Sequence, residues 1–138
     1  MTDGVHWAFH YLGAEWAPGG EGPDRYDCWG LFRVVQRDRY GRHLPTIQVD
    51  PRSAIACSRA IAAQRTSGAW HEVGEPQDGD AVLMAQGHIP THIGVWIDVD
   101  GGRVLHAQQG AGVIASSAAA LTSMGWTCRT YYRWADGG

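Results

Sequence analysis

Lysine is absent from this chain, and all 11 basic residues are arginine. Lysine-based catalysis of every kind is thereby excluded. Charge is also sparse, at 18% of residues with a formal net charge of −3. That balance argues against an electrostatic grip on nucleic acid or on an anionic membrane. No run approaches the ~18 consecutive apolar residues of a membrane-spanning helix. The opening MTDGVHWAFHYLG lacks a basic n-region, a long apolar h-region and an A-x-A-like site. It does not read as a secretory signal, and synthesis in the cytosol is expected. Cysteine is limited to Cys28, Cys57 and Cys128, too few and too scattered for a disulfide framework or a C-x-x-C metal site. There is no internal repeat and no low-complexity tract.

What is present reads as one globular domain over residues 1–138, with 44% hydrophobic residues to close a single core. Residues 5–12 place Val5, Ala8, Phe9 and Leu12 on one stripe, which predicts a short helix ended by Gly13. A loop rich in Gly, Pro and acidic residues follows over 18–24. The spacing of Leu31, Val34 and Val35 predicts a helix from Cys28 to Tyr40, with Gly41 as its stop. HLPTIQVDP reads as extended, and RSAIACSRAIAAQRT as a third helix from the spacing of Ile55, Ala56, Arg59, Ala60 and Ala63, closed by Ser67-Gly68. The second half changes period. A strand is expected over 81–84, and two more over 93–99 and 103–109, joined at Asp100-Gly101-Gly102. AGVIASS reads as another strand, 117–121 as a helical turn, and TCRTYYRWA as a last strand. Helices followed by strands predict an α+β fold, with N-terminal helices packed on a meandering antiparallel sheet.

Cys28 stands where turn residues give way to the second helix, behind Asp27, a good N-cap. A helix N-terminus stabilises a thiolate through its unpaired N–H groups and dipole. Gly30 lets another segment or a substrate approach closely. On these residues alone, Cys28 reads equally well as a nucleophile or as a small buried thiol. A nucleophile needs a base and an orienting group. Of seven histidines, His92 opens one hairpin strand and His106 lies near the end of the next. With Gly101 as the hairpin centre they fall near each other but out of register, a gap that a bulge or a curved strand would close. His88 and His92 do not form a helical metal pair, because Pro90 lies between them. Zinc on Cys28, His92 and His106 is chemically conceivable but has no evident fourth ligand, so no metal and no cofactor is expected. Cys57 and Cys128 read as structural. Of seven tryptophans, Trp16 alone is placed at the cleft.

DCWGLFRVV resembles the D-C-S/W-G-L motif of the NlpC/P60 family of papain-like cysteine peptidases. GDAVLM and HIGVWID resemble that family's G-D-L-V and H-V-G-I-Y-I segments, and VLHAQQGAGVI its V-I-H-A and G-V-x-I segments. The likeness runs from about Gly13 to Tyr132. It implies a papain-like NlpC/P60 fold and a catalytic set of Cys28 as nucleophile, His92 as base and His106 as the third polar residue. Trp16, Asp27 and Gly94 are then expected to line the substrate site. The family usually carries a tyrosine about a dozen residues before the nucleophile. Trp16 stands there instead, either donating its indole N–H to an oxyanion or only walling the cleft.

GAEWAPGGEGPDRYDCWGL and RYGRHLP are similar to the phage-tail branch of the family, small proteins encoded with tail-tip genes. This implies a peptidoglycan endopeptidase that cuts a stem-peptide amide, such as D-γ-glutamyl–diaminopimelate. Its expected partners are the stem peptide and phage tail hub or tip proteins, with no nucleic acid and no membrane insertion. It would be made in the host cytoplasm and act at the cell wall from the virion tail tip. Two other readings stay open: a tail-tip assembly or plug protein with weak activity, and a papain-like amidase or acyltransferase acting on a small metabolite.

Overall fold

The computed structural model describes residues 6–45 and 54–135. The chain begins with a 3-10 turn at Trp7–His10, followed by β1 (Glu15–Trp16) and β2 (Arg25–Tyr26), which pair in parallel. Helix α1 (Cys28–Tyr40) has the predicted limits, and both ends have a local cause. Extended Asp27 accepts the Gly30 N–H at 2.7 Å, satisfying one orphan donor of the first turn. Gly41 closes the helix at φ 68, returning its N–H to the carbonyls of Gln36 and Arg37. Between the caps, Leu31, Phe32, Val34 and Val35 are buried.

After α2 (Ala54–Thr66) come β3 (Trp70–Val73), β4 (Ala81–Ala85), β5 (His92–Ile97), β6 (Arg103–Gln108) and β7 (Gly112–Ser116). Helix α3 (Ala118–Ser123), capped by Ser117, leads into β8 (Cys128–Trp134). These strands form a six-stranded antiparallel sheet in the order β3-β8-β4-β5-β6-β7. The α+β class is as expected, and β4 to β7 form the meander. β8, however, returns to lie between β3 and β4.

Helices α1 and α2 cover one face of the sheet, where Leu31, Phe32, Ile61, Leu83, Ile93, Val95 and Leu105 share a core. The opposite face carries a smaller cluster of Val82, Met84, Val104, Leu121 and Trp126. Being covered on both sides, β4 is apolar and buried at every position rather than alternating.

Two sequence expectations are corrected by packing. The stripe through residues 5–12 becomes only a single-turn 3-10 helix. Only Trp7–His10 turn, Phe9 is 47% exposed, and Tyr11 is buried in its place. So short a segment does not propagate by itself. His6 caps it locally, while Gly13 leaves it to bond the Val113 carbonyl; Val5 lies outside the described residues. In α2, Arg59 and Ala63 face solvent, and Ile61 enters the core beside Phe32 and Trp70. An alanine-rich helix has little amphipathic signal, so its partners choose its face. The side chains of Ile55, Ala56 and Cys57 lie outside the described residues, as does the extended segment through Pro51.

Candidate active site

Cys28 is the first residue of α1 and is half-buried against the core. The loop before it is tied onto this helix start. Asp27 accepts the Gly19 N–H on Oδ2 at 2.8 Å and the Gly30 N–H on Oδ1 at 2.7 Å. Its own N–H donates to the Gly20 carbonyl at 3.1 Å. The loop passes so close that a Cβ on Gly30 would stand 2.0 Å from the Gly20 oxygen. Gly30 is therefore required for the loop's approach. Burial pushes the Asp27 carboxyl above its usual range, opposed by the two N–H groups it accepts. Asp27, expected at the substrate, is buried with both oxygens engaged, and its visible task is to join loop to helix.

The histidines are brought together by register. Val95 faces Leu105, Trp96 faces Val104 and Ile97 faces Arg103. These pairs centre on Asp100, which takes φ 49, not on Gly101. The pairing ends at Val95–Leu105, and beyond it His92, Gly94 and His106 share one face of the sheet. No bulge is needed. His92 Nε2 and His106 Nδ1 are hydrogen-bonded at 2.9 Å, with the rings nearly perpendicular at 81°. Gly94 makes room between them. A Cβ there would lie 2.6 Å from Val104 Cγ1, 2.8 Å from the Leu105 oxygen and 3.1 Å from His106 Cβ. It too is buried, and its visible role is space for His106.

His106 has no exposed surface. Burial, and then the neighbouring His92, hold its pKa down to about 3, so it is neutral at any physiological pH. Its second nitrogen, Nε2, is 2.8 Å from Ser116 Oγ, and Ser116 is itself buried. His92 is stacked on Trp126, with ring centroids 4.6 Å apart and planes 10° apart. The Trp126 indole N–H donates to Gln108 Oε1 at 3.0 Å. Ser116 and Trp126 were not foreseen from sequence. Ser116 is a polar residue inside AGVIASS, and nothing local sets it apart from its neighbours. Trp126 belongs to no predicted strand or helix, yet it stacks on His92, whereas Trp16 is the one tryptophan expected at the cleft.

The helix that begins at Cys28 reaches the same sheet along different elements. Helix α1 lies against β5 and β6, while β1 and β2 lie against β7. Val113 exchanges hydrogen bonds with Gly13 and Ala14. The segment entering Cys28 therefore runs along the end of the sheet where β5 begins, β6 ends and β7 begins. Trp16 is half-buried there, opposite Tyr26. Cys128 opens β8 and is exposed, so it fills no core. Among the described residues, no group of three or more His, Cys, Asp or Glu is placed to hold a metal ion.

With this geometry in hand, the chain matches the sequence model of the NlpC/P60 family over residues 13–134. No curated protein matches it. Among solved structures it is similar to the NlpC/p60 domain of the peptidoglycan hydrolase SagA, at 22% identity and TM-score 0.58, covering 91% of this chain and 90% of that one. A Staphylococcus aureus protein of the NLP/P60 family, described as similar to lipoprotein, shares 24% identity at TM-score 0.57, covering 92% of this chain and 38% of that one. NlpC1 from Trichomonas vaginalis shares 19% identity at TM-score 0.59, covering 92% and 41%. At such identities the likeness is one of fold. The chain spans nearly all of the first structure but well under half of the other two.

Proposed function

We propose, from the premise that this chain belongs to the NlpC/P60 family, that it is a cysteine peptidase cutting an amide in the stem peptide of peptidoglycan. The supporting observation is the hydrogen-bonded file of His92, His106 and Ser116, the two histidines standing on strands against which the Cys28 helix packs. In this reading Cys28 is the nucleophile, His92 the base and His106 the orienting group.

His92 Nε2 is engaged with His106, which leaves Nδ1 to take the thiol proton. The thiolate sits at the positive end of α1, and the same dipole favours the oxyanion formed as sulfur adds to the carbonyl carbon. His92 then returns the proton to the leaving amine, giving a thioester. Water, deprotonated by His92, attacks that thioester and releases the carboxylate and the Cys28 thiol. Neutral His106 orients the ring without supplying charge, a weaker aid than a carboxylate. Trp126 covers one face of the imidazole and limits its rotation.

SagA is named a peptidoglycan hydrolase, which agrees with this substrate class. The finer proposal, that the bond joins D-γ-glutamyl to diaminopimelate, rests on the family resemblance. So does a place at a phage tail tip beside hub proteins, reached after synthesis in the host cytoplasm. The test is digestion of purified peptidoglycan with mass spectrometry of the fragments. Cys28→Ala should abolish release with an unchanged circular-dichroism spectrum, and His92→Ala should reduce the rate more than His106→Ala. Full activity in Cys28→Ala sinks the reading. Co-purification with tail hub proteins tests the tail-tip assignment separately.

A further inference from the structure

We propose that Ser116 is a positioning residue whose hydroxyl accepts the Nε2–H of His106, and thereby fixes the protonated nitrogen of His92. The inference rests on the reading of His92 as the base. Both nitrogens of His106 are engaged, Nδ1 with His92 Nε2 at 2.9 Å and Nε2 with Ser116 Oγ at 2.8 Å. A neutral imidazole carries a single N–H, so one of these nitrogens donates and the other accepts.

Two arrangements satisfy the file. In the first, His92 Nε2–H donates to His106 Nδ1, and His106 Nε2–H donates to Ser116 Oγ. His92 then keeps its lone pair on Nδ1 and can act as a base. In the second, the Ser116 O–H donates to His106 Nε2, and His106 Nδ1–H donates to His92 Nε2. Neutral His92 must then carry its proton on Nδ1 and has no lone pair to offer from that atom. The first arrangement also survives proton transfer. Once His92 is an imidazolium, its Nε2–H still finds an acceptor in His106. In the second arrangement, two N–H groups would face each other across 2.9 Å.

Without the hydroxyl, the first arrangement leaves a buried N–H with no partner. The second leaves only a lone pair bare, and buried orphan N–H groups are the rarer of the two defects. His106 has no exposed surface and Ser116 only 4%, so bulk water does not substitute readily. Removal of the Ser116 oxygen therefore drives the pair toward the unproductive tautomers.

Thr and Val are matched in shape and differ by one hydroxyl, and both suit a strand. Ser116→Thr should keep near-parent kcat, whereas Ser116→Val should lose roughly ten- to hundredfold in kcat, with KM little changed. Ring 15N–1H correlation spectra of the parent protein at neutral pH report the tautomers directly. His106 should carry its proton on Nε2, and in Ser116→Val that signal should move to Nδ1. A parent His106 protonated on Nδ1, or a Val variant with parental kcat, overturns the proposal. Should the parent release no peptide at all, the peptidase reading fails, while the spectra still decide the tautomer and the part Ser116 plays in it.

Discussion

Acid should unfold this protein partly through a single side chain, and the size of the effect follows from the burial of His106. In the folded state its pKa is held down to about 3, against an ordinary value of 6.5. In the unfolded chain it titrates normally. Between those two values the unfolded state binds a proton that the folded state refuses, so stability rises with pH across the window. The contribution is complete above about pH 6.5 and is lost as pH falls toward about 3. At ~1.36 kcal/mol per pH unit, the loss from neutrality to pH 4 is about 3 kcal/mol, and the full window is worth roughly 5 kcal/mol. That is a large share of the ~5–15 kcal/mol by which domains are usually stable.

Urea unfolding followed by tryptophan fluorescence at pH 7, 5.5 and 4 measures it, with His106→Asn as the reference protein. The variant will be less stable at neutral pH because it loses packing, so the comparison is of slopes and not of levels. Groups remote from position 106, the buried Asp27 among them, are common to both proteins and drop out of the difference. The parent curve should fall about 3 kcal/mol further than the variant's between pH 7 and pH 4. Parallel curves would mean that His106 is hydrated or charged in the native state, and the argument from its burial would be wrong.

Two glycines yield sharper mutational tests. Gly30→Ala puts a methyl 2.0 Å from the Gly20 oxygen, and should cost about 1–3 kcal/mol as the loop leaves the helix start; parental stability in urea would show that this loop is not held there. Gly94→Ala meets Val104 Cγ1 at 2.6 Å and the Leu105 oxygen at 2.8 Å, so a loss of about 1–3 kcal/mol is expected, with reduced peptide release as His106 is displaced. Gly87→Ala has nothing within 4 Å of its new methyl and serves as the control, expected to stay within about 0.5 kcal/mol of the parent.

Short-range chemistry was enough to locate α1, its two caps, the Asp-Gly hairpin and the chain order of Cys28, His92 and His106. Each of these depends on neighbours a few residues apart: a 3.6-residue apolar period, a carboxylate three residues before a helical N–H, a turn that demands positive φ. Packing between distant segments decided the rest. The face that His92 and His106 share depends on which residue centres the turn, and a shift of one would have sent the rings to opposite faces. The insertion of β8 between β3 and β4, the inward face of α2, the Ser116 hydroxyl on His106 and the Trp126 ring on His92 leave no local trace. They arise where side chains far apart in sequence compete for the same buried volume, and no single stretch of the chain records which of them wins.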